Sequence, residues 1–119
     1  MTIILVRESM KAWNHLKRMV RDCYPDSTIL VFSNSDEALE TIRKNGSQID
    51  LCFSEVVMRG ASGFRLVEEL HRRNRRAKAV LIAQDKEYAL ECWRVGVNDY
   101  LIEPLTMESI RHAQLSCSE

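Results

Sequence analysis

Four short apolar runs end in residues that could act together. Residues 3–6 are followed by Arg7 and Glu8, the run 51–57 contains Glu55, the run 79–83 ends in Ala83 without a polar group, and residues 100–102 are followed by Glu103. Three converging carboxylates repel one another unless a cation stands among them. Glu8, Glu55 and Glu103 form an all-oxygen set of the kind that suits a hard cation such as magnesium or calcium. Arg7 is the competing cation, since a guanidinium fork can hold a carboxylate through two parallel hydrogen bonds. The expected arrangement is Arg7 bridging Glu55 or Glu103 with no metal. If an ion is held, Glu8 and Glu55 are its first candidates as ligands.

The elements that would bring these residues together follow from the hydrophobic pattern. Residues 3–6, 28–32, 51–57, 79–83 and 100–102 are near-continuous apolar runs, each expected to be a strand buried on both faces. Between and after them lie amphipathic stretches. Ser9 precedes a helix carrying Trp13, Leu16, Val20 and Cys23, and Pro25-Asp26 ends it. Asn34 or Ser35 caps a helix with Ala38, Leu39 and Ile42, which Asn45-Gly46 closes. Phe64, Val67 and Leu70 mark a third helix, Ala89, Cys92 and Trp93 a fourth, and Thr106 caps a fifth with Ile110, Ala113 and Cys117 inward. Strands alternating with helices predict an α/β domain over residues 1–119: a five-stranded parallel sheet with helices on both faces. Right-handed crossovers favour the order 2-1-3-4-5. In such sheets the site lies beyond the carboxyl ends of the strands, where Arg7, Glu8, Glu55, Ala83 and Glu103 fall.

Composition narrows the function. The 119 residues suit one core, and 45% are apolar. Lys+Arg and Asp+Glu both number 17, a balance that argues against a dedicated nucleic-acid binder. The basic run 71–78 reads as a solvated helix end whose cations suit the helix dipole. No run is long enough to span a membrane, and the start lacks a signal peptide. The cysteines at 23, 52, 92 and 117 show no C-x-x-C spacing, so reduced core thiols in a cytoplasmic protein are expected, without a disulfide or zinc. His15, His71 and His112 lack metal-ligand spacing. Trp13, Trp93 and the methionines are read as packing and not as a cofactor box.

Two segments carry a family resemblance. Asp50-Leu51-Cys52-Phe53-Ser54-Glu55-Val56-Val57-Met58-Arg59-Gly60-Ala61-Ser62-Gly63 resembles, without gaps, the D-L-x-x-x-D-x-x-M-P-G-x-x-G signature of response-regulator receiver domains. Asn98-Asp99-Tyr100-Leu101-Ile102-Glu103-Pro104-Leu105 is similar to their D-Y-L-x-K-P-[FL]. Residues 88–93 are similar to the fourth helix of receivers from LytTR-type regulators. The likeness runs over essentially the whole chain and implies a flavodoxin-like, non-enzymatic signalling module of two-component systems. It also implies a cis Glu103-Pro104 bond, and a DNA-binding effector outside this chain.

The departures from that family fall on its phosphorylation pocket. Arg7 and Glu8 stand where receivers usually have two magnesium-binding acids, Glu55 replaces the phosphorylated Asp, Ala83 the hydroxyl residue, and Glu103 the Lys. Glu55 carries its carboxylate roughly 1.5 Å beyond an Asp, and misplacement on that scale costs about a hundredfold in rate. Glu103 reverses the charge that would offset a phosphoryl group. The expectation is an atypical receiver that works through protein contacts, as a homodimer or with a partner, on the face of the fourth helix, fifth strand and fifth helix. Tyr100 is its switch residue, resting inward where Ala83 leaves room, and Tyr88 and Trp93 extend the interface. A receiver phosphorylated despite these residues is the first alternative. A small flavodoxin-like enzyme or flavin carrier is the second, though Val6-Arg7-Glu8-Ser9-Met10 does not make a phosphate-cradling loop.

Overall fold

The computed structural model describes residues 1–118. Its elements are β1 (Thr2–Val6), α1 (Met10–Cys23), β2 (Thr28–Phe32), α2 (Ser35–Asn45), a 3-10 turn (Gly46–Gln48), β3 (Leu51–Glu55), α3 (Gly63–Arg73), β4 (Lys78–Ala83), α4 (Ala89–Val95), β5 (Asp99–Ile102) and α5 (Met107–Cys117). The sheet is parallel, in the order β2-β1-β3-β4-β5. Alternating strand residues feed the two faces. Ile3, Leu5 and Phe53 pack with Leu16, Val20, Ile110 and Ala113 of α1 and α5. Ile4, Val6 and Cys52 pack with Ala38, Ile42, Leu66 and Leu70 of α2 and α3. Side-chain caps start four of the helices, with Ser9, Asn34, Ser62 and Thr106 each accepting from a backbone N–H one turn on.

Three expectations are corrected. β2 is an edge strand and not buried on both faces; its residues alternate between exposed and half-buried, with Leu30 38% exposed. β3 ends at Glu55, not Val57, because after Val56 bonds to Ile82 the chain turns so that Gly63 can bond back to Val56. Trp93 does not pack; it is 79% exposed on α4. The cysteines are all free. Burial pushes the Cys52 thiol up to about 12, and those of Cys92 and Cys117 to about 11, so they stay protonated and unreactive at neutral pH.

One buried acid was not anticipated. Glu69 lies on the inner side of α3 with its side chain only 7% exposed, and accepts from Arg73 at 2.9 Å and Arg72 at 3.4 Å. The hydrogen bond from Arg73 holds its carboxyl below the usual range; burial opposes this, and the charges of Arg72, Arg73 and Arg43 assist it. A carboxyl depressed in the folded state stabilises the fold above its unfolded pKa, and that contribution is lost as pH falls through the folded value. Glu69→Gln should therefore be less stable than the parent at pH 7. The difference should shrink steadily below about pH 5, as read from urea midpoints measured at both ends of that range.

Candidate functional site

The site is built at the carboxyl end of the sheet. Arg7 follows β1 and continues its pairing, its N–H donating to the Phe32 carbonyl at 3.0 Å. Glu55 closes β3 opposite Ile82 of β4. Glu103 follows β5, its N–H donating to the Ala83 carbonyl at 2.9 Å, and its bond to Pro104 is cis. Gly63 sets the position of Glu55. A Cβ there would lie 2.3 Å from the Glu55 carbonyl oxygen, so only glycine lets α3 begin against the end of β3.

Arg7 reaches both acids. Its Nη2 donates to Glu103 Oε2 at 2.9 Å and to Glu55 Oε2 at 3.4 Å. The expected two-pronged hold on a single carboxylate is replaced by one nitrogen shared between two. The Arg7 side chain is 4% exposed, the carboxylates 23% and 25%. At these distances the contact to Glu103 is a full charge-assisted hydrogen bond and that to Glu55 a weaker one. Glu55 is further held by the Glu8 backbone N–H, which donates to its Oε1 at 3.0 Å. Arg7 Nε and Glu103 Oε1 are buried without a hydrogen-bond partner among the described residues.

Glu8 does not join this group. Its carboxylate turns away and accepts from the Arg59 backbone N–H at 2.7 Å, in the loop between β3 and α3. Ser35 and Asp36 hold the same loop: the Ser35 hydroxyl donates to the Arg59 carbonyl and Asp36 accepts from Ala61 N–H. Gly60 of this loop has φ +76, and a Cβ on it would lie 2.6 Å from the Asp36 carboxylate. Sequence reasoning missed Ser35 and Asp36. Their signal is faint: two small polar residues opening a helix, opposite a glycine in the left-handed region.

Ala83 lines a cavity of about 310 Å³ together with Glu55, Glu103, Asp85, Glu87 and Tyr88. Tyr100 packs beside Tyr88 on the cluster containing Ala83, and its hydroxyl donates to the Asp85 carbonyl after β4. Burial is the main cause that raises the Tyr100 phenol above its usual value. Tyr88 is half-buried against Phe64, ring centroids 6.0 Å apart, and lines the cavity. Outward from the same elements stand Trp93 and Leu90 of α4, Ile102 of β5 and Leu115 of α5. His112 Nδ1 lies 2.6 Å from Asp99 Oδ2, beside the strand that carries Tyr100.

This fold and this placement of residues define a receiver. The family model for the response regulator receiver domain matches residues 3–114, and the chain belongs to that family, whose members are signalling modules of two-component systems. Two-component response regulator ORR21 of Oryza sativa subsp. indica is 28% identical over 113 residues, covering 94% of this chain and 16% of its own length. Transcriptional regulatory protein RprY of Bacteroides fragilis (strain YCH46) is 28% identical over 109 residues, covering 90% of this chain and 40% of its own. The chain thus spans less than half the length of either relative. Among solved structures, the receiver domain of sensor histidine kinase PA1611 from Pseudomonas aeruginosa PAO1 superposes with a TM-score of 0.81 at 16% identity, covering 99% of this chain and 98% of that one.

That neighbour holds a magnesium ion in its active site cleft. The residues here do not suit one. Arg7 places a guanidinium against Glu55 and Glu103, and Glu8 is committed to Arg59. Among the described residues, no group of three or more His, Cys, Asp or Glu side chains is placed to hold a metal.

Removing Arg7 would leave two carboxylates three-quarters buried without their cation. Arg7→Ala should destabilise the fold by about 2–4 kcal/mol in urea titration. Glu55→Gln, which keeps a hydrogen-bonding side chain, should cost less than about 1 kcal/mol.

Proposed function

We propose that this receiver domain regulates its output without an acyl phosphate, and that Arg7 serves as a built-in cation in place of magnesium and lysine. The observation that carries this reading is the Nη2 atom of Arg7 bonded to both Glu55 and Glu103. Phosphoryl transfer to a carboxylate needs an exposed nucleophilic oxygen and cations aimed at the phosphoryl oxygens. Glu55 has both oxygens engaged, by Arg7 and by the Glu8 N–H. Glu103 sets a negative charge where the incoming group would place another, and Ala83 offers no hydroxyl.

Signalling then runs through protein contacts. Trp93, Leu90, Ile102 and Leu115 present an apolar face on α4, β5 and α5, and aromatic side chains of this kind anchor interfaces. Behind that face Tyr100 is tied to Asp85, which favours one fixed output state. The partner is a second copy or another protein docking there. The longer relatives, one of them named a transcriptional regulatory protein, support a chain that works beside further domains in transcriptional regulation.

Incubation with acetyl phosphate and magnesium, followed by intact-mass measurement, should give no adduct, and magnesium titration should give no heat. Glu55→Asp alone should not restore phosphorylation, because Arg7 and Glu103 remain. Adding Arg7→Asp, Ala83→Thr and Glu103→Lys together should restore it. An acyl phosphate on the parent chain at position 55 would sink the proposal.

A further inference from the structure

The end of the molecule opposite the pocket carries a different charge pattern. α2 and α3 finish side by side there. Gly46 lies so close to α3 that a Cβ on it would sit 2.6 Å from Arg73 Cβ, which brings the basic ends of both helices into one surface. That surface holds Arg43 and Lys44 from α2, Arg72 and Arg73 from α3, and Arg75 and Arg76 just beyond. Two acids answer them. Glu40 pairs with Arg43 and Lys44, and Glu69 with Arg72 and Arg73. Arg75 and Arg76 are exposed and form no ion pair among the described residues. A chain of zero formal net charge thus places six cations at and just beyond the ends of these two helices, with Glu40 and Glu69 paired to four of them.

Buried Glu69 takes one N–H from each of Arg72 and Arg73, weakly at 3.4 Å from the first and as a full hydrogen bond at 2.9 Å from the second. Both arginine side chains remain in solvent, 75% and 45% exposed, so they keep further N–H groups open to an anion.

We infer that this α2–α3 surface binds the phosphodiester backbone of nucleic acid, without sequence readout. Two features favour phosphate over an acidic protein. Five of the six cations are arginines, whose forks match phosphate oxygens. None of the large exposed hydrophobic side chains belongs to α2 or α3 themselves, whereas protein interfaces have an apolar or aromatic centre. Balanced net charge limits the affinity but not the local field. This inference does not depend on how the pocket behaves. It would give a receiver lying beside a DNA-binding effector its own grip on the duplex.

The test is fluorescence anisotropy of a labelled short DNA duplex of arbitrary sequence, with this chain titrated at salt concentrations between about 50 and 200 mM. Binding should weaken with salt at a log–log slope of about −3 to −4, as expected for four phosphate contacts. Arg75→Ser with Arg76→Ser should lower affinity roughly tenfold at the lowest salt and reduce the slope by about two. Its thermal melt should be unchanged, since neither residue packs. Arg18→Ser on α1, the loss of one exposed cation at a remote site, should leave binding as it was. Three results would overturn the inference: no binding at the lowest salt, loss of binding by Arg18→Ser equal to that of the double variant, or polyglutamate competing as well as unlabelled duplex.

Discussion

Arg7 is a charge taken almost wholly out of water, and the structure is tolerable only because two carboxylates meet it. Removing a guanidinium from solvent costs several kcal/mol unless paired acids return most of it. Here the return comes from different strands, Glu55 on β3 and Glu103 after β5. The dependence is mutual. Neither carboxylate could sit three-quarters buried beside the other without a cation between them. The charge pattern at the carboxyl end of the sheet is therefore one unit, and it rests most heavily on Arg7, which serves both acids.

The geometry of the sheet dictates which side chains can form that unit. Arg7 and Glu103 are separated by β3 and β4, three interstrand spacings or about 14 Å. Ordinary bond lengths give an extended Arg a reach of roughly 7 Å from its Cα and Glu a reach of roughly 4–5 Å. With the 2.9 Å hydrogen bond, the two side chains just close the gap, leaning over β3 and passing Glu55 on the way. A Lys at position 7 could also share its one nitrogen between two acids, but its Nζ reaches roughly 1 Å less far. An Asp at position 103 would fall about 1.5 Å short. Residue length, and not charge alone, accounts for the pairing.

The fold was legible because each strand is a continuous apolar run, and a buried parallel sheet leaves that mark without needing tertiary information. The same rule misread β2, since an edge strand can keep an apolar composition while solvent reaches it. The pocket was legible as a set of residue types at strand ends, but its wiring was not. That Glu8 would serve the Arg59 N–H depends on where the loop after β3 runs, and this is set by Ser35, Asp36 and the positive φ of Gly60. Glu69 was hidden for another reason. A Glu on a helix ordinarily marks its wet face, and only the later return of Arg72 and Arg73 toward it allows burial. Trp93 failed in the opposite sense, since size and apolarity suggest packing, yet α4 is only seven residues long and turns its Cys92 inward instead.

A conformational switch responds to an input only as far as that input interacts differently with its two states. In a pocket that starts with uncompensated acids, adding a phosphoryl group or a metal changes the local charge, and that change can be transmitted. With Arg7 in place the acids are already answered, Ala83 has no hydroxyl to be drawn toward a new group, and Tyr100 is already tied to the Asp85 carbonyl. On the proposed reading, little free-energy difference is left for an event in the pocket to supply. Any shift between states must then come from what binds elsewhere, and must equal the partner's own preference for one state over the other. The apolar face of α4, β5 and α5 is next to Tyr100, so a partner docking there could bias the ring directly.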